Sequence, residues 1–167
     1  MGLEKLLKII PGYHGYKNKE ERRETDRLVR QKAMRELEGA ENKLIEALEP
    51  AVDAGNKNLM SLLEKARGDI RIFVGKLKNA EHGYKPGWHI VEIREKEIED
   101  AIAKDAEIVL EAIEMNKMAE DIVDKISIGE DVAGKVRDVM KRLNEVKKLF
   151  DERVDIVAGT QKVMDIK

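Results

Sequence analysis

The chain has 167 residues, no Cys, 42% apolar and 40% charged residues and a net charge of -2. That is long enough to bury one core without staples, and it closes off disulfides, thiolate metal sites, iron-sulfur clusters and cysteine nucleophiles. A pI near 6.0 is far from the strongly basic surface that nucleic acid demands, so no nucleic-acid partner is expected.

Only six residues are aromatic, so the core must be built from Leu, Ile, Val, Ala and Met at helical spacing, and the expected class is all-α. No run approaches the roughly 20 apolar residues that span a bilayer. No signal-peptide pattern is visible either, which predicts a cytoplasmic protein. High charge with only two Gln, 31 and 161, resembles the composition of thermophile proteins. Charge is unevenly spread: residues 16–35 carry eight Lys or Arg and four acids, and residues 91–131 five Lys or Arg and fourteen acids. A basic helix and an acidic helix in one chain attract each other, within a bundle or across a dimer.

Residues 1–10, MGLEKLLKII, place Leu3, Leu6, Leu7 and Ile10 on one helical face. This short amphipathic segment is expected to dock on its own bundle, the alternative being a membrane surface. Pro11 and Gly12 stop it. Asn18, with Glu21 three residues later, reads as the next helix start. From there Ala33, Leu37, Ala40, Leu44, Ala47 and Ala51 alternate steps of 4 and 3, a heptad seam. Pro50 is expected to kink or end this helix and Gly55 to close it.

After a cap at Asn56 or Asn58, Leu59, Leu63, Ala66, Ile70, Phe73, Leu77 and Ala80 form a second seam, antiparallel to the first across a short turn. Gly68 and Gly75 fall off that seam, at positions where close packing is expected. HGYKPGWH, 82–89, cannot be helical through Pro86 and Gly87. Its extended reach would return the chain to the level of Tyr13 and Tyr16. A third helix, from about 91 to 126, carries Ile98, Ala101, Asp105, Ile108, Ala112, Met115, Ala119, Ile122 and Ile126. A second stripe, Ile102, Ala106, Val109 and Ile113, predicts two neighbours and a central place. The last helix carries Val136, Val139, Leu143, Val146, Phe150 and Val157. The reading is an elongated antiparallel bundle of four main helices plus a short N-terminal helix, one domain over 1–167.

Every His (14, 82, 89), every Tyr (13, 16, 84) and the one Trp (88) lie within 13–16 or 82–89. The candidate ligand-binding residues are therefore Tyr13, His14, Tyr16, Lys17, His82, Tyr84, Trp88 and His89, gathered either as a site or as a packed end-cap. No His follows the Glu-x-x-His spacing of helical di-iron sites, which leaves a loop-built metal site on His14, His82 and His89. Carboxylate pairs such as Glu46/Glu49, Glu92/Glu95, Glu97/Asp100 and Glu111/Glu114 match the magnesium ligands of all-helical nucleotide pyrophosphatases, but chance alone supplies several such pairs among 34 acids. No Ser/His/Asp triad is readable, and the Gly-rich phosphate-binding motifs are absent from the sequence.

Asp105 stands in the middle of an aliphatic seam. Buried alone it would cost several kcal/mol, so it must find Arg, Tyr or backbone donors; Arg71, Arg22 and Arg23 are the candidates, and the expected role is structural. Asn116 and Asn144 read as ordinary polar seam positions.

GYHGYKNKEERRETDRLVR at 12–30, with HGYKPGW at 82–88 and a long acidic helix, resembles an uncharacterised prokaryotic family of all-helical proteins with a GYxxKExRRExD-like N-terminal stretch. The resemblance implies a helical fold and no catalytic residues. The sequence thus points to a non-enzymatic assembly or adaptor protein without a cofactor, self-associating as a homodimer or binding another helical protein. The alternatives are a small-ligand or metal site at the aromatic segments, and membrane-surface docking through residues 3–10.

Overall fold

The computed structural model describes residues 3–15, 19–80 and 95–164, with the backbone alone at 19, 20, 22, 80, 95, 97 and 154–164. Five helices follow in chain order: α1 (Leu3–Ile9), α2 (Lys19–Asp53), α3 (Lys57–Ala80), α4 (Glu95–Ser127) and α5 (Ala133–Met164). The described residues hold no strand. The heptad stripes are the reason. Every described seam side chain from Ala33 to Ala51, from Leu59 to Leu77, from Ala101 to Ile122 and from Val136 to Phe150 is buried, which is what a 3-4 alternation places on one helix edge.

Two hairpins make the bundle. α2 turns back into α3 through Gly55, at φ 65°; the Asn56 amide donates to the Ala51 carbonyl at 3.0 Å, while Asn56 Oδ1 caps α3 by accepting from the Leu59 amide at 3.1 Å. The predicted cap is thus Asn56 rather than Asn58. Pro50 does not end α2, which runs on to Asp53. α4 turns into α5 through Gly129, at φ 82°, and Asp131 Oδ1 receives the Ala133 amide at 3.0 Å.

The hairpins then lie side by side, α2 against α4 and α3 against α5. Asn116 of α4 donates to Glu36 of α2, and further along Lys43 pairs with Glu120 at 3.3 Å, so α2 and α4 run parallel. The basic and acidic stretches thus lie in one bundle, Val29 of α2 clustering with Ala106 and Val109 of α4. Phe73 of α3 meets Phe150 of α5 edge-on, centroids 5.6 Å apart. α4 is central, as its double stripe predicts: it packs on α2, α5 and α1.

Gly39 permits the close approach of α2 and α4. A β-carbon there would lie 2.9 to 3.1 Å from Asn116 side-chain atoms. Asn116 is therefore fitted to a specific gap rather than being an ordinary polar position, whereas Asn144 is exposed. Gly68 and Gly75, expected to mark close packing, have nothing within 4 Å of such an atom. Their place outside the seam leaves them on open faces.

The buried side chains divide into two clusters. The larger runs along all four long helices. The smaller gathers Leu6, Ile10 and Tyr13 with Val29 of α2 and Ala106 and Val109 of α4, flanked by Ile102 and Ile113. The second stripe of α4 thus receives α1 and the chain that follows it. No described helix is long and apolar enough to cross a membrane.

Candidate functional site

Near the α1 end the seams turn polar together. Along α2 the 4-3 pattern extends back from Ala33 to Arg30 and Asp26; on α5, Arg153 fills the register step between Phe150 and Val157; on α4 the matching step is Asp105. All four side chains are at least nine-tenths buried. Burying charges is costly unless each is paired and hydrogen-bonded, and here the pairing is continuous. The Tyr13 hydroxyl donates to Asp105 Oδ2 at 3.0 Å. Arg153 Nε donates to Asp105 Oδ1, and its NH1 group donates to Asp26 Oδ1 at 2.6 Å. The other Asp26 oxygen pairs with the Arg30 guanidinium at 2.6 Å. Beside this ladder Thr25 donates its hydroxyl to the Gly15 carbonyl at 2.6 Å, pinning the segment after α1 to α2.

Two carboxylates and two guanidiniums cancel, so the ladder adds no net charge to the interior. Arg30 Nε is the one ladder atom that is buried with no hydrogen-bond partner among the described residues. Tyr13 is held well above the ordinary tyrosine range, first by burial, then by the Asp105 charge and the bond to it, with Arg153 pulling the other way. A neutral phenol that gives its proton to a hydrogen bond suits a structural latch and not a general base.

Among the bonds that reach Asp105 are those from Tyr13 and Arg153. Of the sequence candidates, Arg71 faces solvent on α3 and Arg23 is exposed; the side chain of Arg22 lies outside the described residues. Arg153 went unread because it is separated from Asp105 by 48 positions. The available signal was register: Asp26, Arg30, Asp105 and Arg153 all occupy seam positions, two of each sign.

Of the aromatic and histidine candidates, Tyr13 is fully buried and His14 is exposed. Tyr16, Lys17, His82, Tyr84, Trp88 and His89 lie outside the described residues, as does the expected return of 82–89 to that level. Among the described residues no group of three or more His, Asp or Glu is placed to hold a metal ion. Of the carboxylate pairs, Glu46 and Glu49 face solvent on α2 and Glu111 is engaged by Arg142 at 2.7 Å.

The apolar face of α1 is split. Leu6 and Ile10 are buried against the bundle, while Leu3 and Leu7 stay 42% and 47% exposed. On α2, Ile45 and Val52 are 41% and 53% exposed and Leu48 is half-buried between them. Spaced i, i+3, i+7, these three form an apolar ridge on the outside of the bundle. Comparison of the chain with protein-family models, curated proteins and solved structures finds no match.

Proposed function

We propose that this chain is a non-enzymatic assembly protein of the cytoplasm that associates with a second copy of itself, or serves as adaptor to another helical protein, through its exposed helix edges. The observation that supports this reading is the Ile45–Leu48–Val52 ridge. Single exposed apolar residues are ordinary on any surface, but exposed Ile45 and Val52, seven residues apart with half-buried Leu48 between them, repeat the spacing that packs helices together. The buried ladder fits the same reading: it fastens three helices and the α1 segment at one level, giving a rigid scaffold on which an edge can be presented.

The test is sedimentation velocity on the full chain beside the variant carrying Ile45→Lys with Val52→Lys. Both positions face solvent, so the variant keeps its helical circular dichroism. The expected result is a faster-sedimenting assembly for the parent and a monomer for the variant. Equal sedimentation of both chains as assemblies would move the interface elsewhere, and a parent that sediments as a monomer at every concentration would remove self-association.

A further inference from the structure

The apolar ridge on α2 has a charged flank. Glu49 stands one turn from Ile45, and Asp53 one turn from Glu49; both are exposed, and residues 41–53 together carry four acids against one Lys. Two ridges laid antiparallel about a two-fold axis would bring these acids face to face, a like-charge contact that opposes association. Self-association is served better by a different surface on the second copy, apolar along its lining and positive at its edge.

α3 and α5 form such a surface. Between their N-terminal halves lies an open groove of about 520 Å³, lined by apolar Leu59, Leu62 and Ala133 and by the charged Lys65, Arg137 and Asp131. Leu62 and Ala133 are half-buried against the larger cluster, while Lys65 and Arg137 are exposed. Asp131 receives the Ala133 amide, and the two cations outnumber it. The larger groove, about 800 Å³ between α4 and α5, has the wrong sign for an acidic ridge: Glu107, Glu111, Asp138 and Glu145 outnumber Lys141 and Arg142.

The charges on the two matching surfaces are not spent on their own bundle. Among the described residues none of Glu49, Asp53, Lys65 and Arg137 is engaged in an ion pair. Nor can a chain seat its own ridge, since α2 packs on α3 and α4 and the groove opens between α3 and α5.

We propose that the ridge of one copy, Ile45, Leu48 and Val52, docks in the α3–α5 groove of a second, with Glu49 and Asp53 set against Lys65 and Arg137. The inference rests on the self-association reading and names the surface that receives the ridge. Because ridge and groove are different patches, the contact is heterologous, and each added copy offers a fresh ridge or groove. Assembly then runs beyond two chains unless it closes into a ring.

Charge reversal in full-length chains tests the docking, read by sedimentation velocity at a concentration where the parent assembles, with helical circular dichroism confirming the fold. One variant carries Lys65→Glu with Arg137→Glu, a second Glu49→Lys with Asp53→Lys, and a third all four substitutions; all four positions are exposed. Either pair alone sets like charges across the contact and is expected to weaken assembly by about ten-fold or more. A 1:1 mixture of the first two variants, and the third variant by itself, bring opposite signs together again and are expected to assemble as the parent does. A first variant that assembles like the parent, or a mixture and third variant that stay dissociated, would overturn the docking and leave self-association standing. A parent that sediments as one chain at every concentration would remove both.

Discussion

Tyr13 and Asp105, 92 positions apart in the chain, are joined by a 3.0 Å hydrogen bond inside the bundle. The bond ties the segment after α1 to the central helix, and through Asp105 to Arg153 and Asp26 it reaches α5 and α2. Removing the Tyr13 hydroxyl takes one donor from a buried carboxylate that keeps another. Tyr13→Phe is expected to cost about 1.5–3 kcal/mol, the usual worth of a hydrogen bond to a charged group. Urea unfolding followed by circular dichroism measures it, and an unchanged midpoint would show that the bond contributes nothing.

Asp105→Ala is expected to cost more, about 3–5 kcal/mol, because Arg153 loses a carboxylate partner while remaining buried. The two substitutions touch one network, so their costs do not add. A double-mutant cycle between Tyr13→Phe and Asp105→Ala is expected to show coupling of about 1 kcal/mol or more.

Gly39→Ala and Gly68→Ala should move stability in opposite directions. Both gain helix propensity, about 1 kcal/mol for Gly to Ala. At Gly68 a new methyl meets nothing within 4 Å, and the gain is kept. At Gly39 it meets Asn116 at 2.9 to 3.1 Å, displacing the amide that donates to Glu36, and the gain is lost to strain and a broken bond. Paired thermal melts read the difference in sign.

How much of this was legible in the sequence varies with how local the cause is. Helix order, hairpin turns and the seams follow from spacing, because a 3-4 alternation has one geometric solution. The double stripe of α4 announced an extra neighbour, and α1 supplied it. Partners across the bundle were less readable. Asp105 could be recognised as needing a donor, but choosing Arg153 over Arg71 requires knowing which helices are adjacent at which level, and α4 touches α5 while α3 does not share its side. Of the two effects expected of Pro50, ending the helix is not seen, since α2 runs on to Asp53. Asp26 and Arg30 were hidden by the basic run around them, although their register placed them on the seam.

Alkali should unfold the protein in steps that name their groups. Tyr13 is shifted upward, chiefly by burial; Lys104 and Lys135 are shifted upward by their bonds to Glu152 and Asp121. In each case the folded chain holds a proton that the unfolded chain releases near pH 10, so the stability they contribute is complete below that pH and is lost as pH rises toward the folded values. Stability measured from pH 8 to 11.5 should fall from about pH 10, and less steeply in Tyr13→Phe. On the acid side Asp121 and Glu152 are shifted downward by those same bonds. Their contribution is present above the ordinary carboxylate range and is lost as pH falls through the lowered values. Both are surface pairs, so added salt should flatten that limb.

The most direct measurement of self-association is the mass of the full chain in solution by light scattering over a dilution series. The account expects at least twice the 19.0 kDa of one chain at the upper concentrations, falling toward one chain on dilution. A constant 19.0 kDa throughout would contradict it.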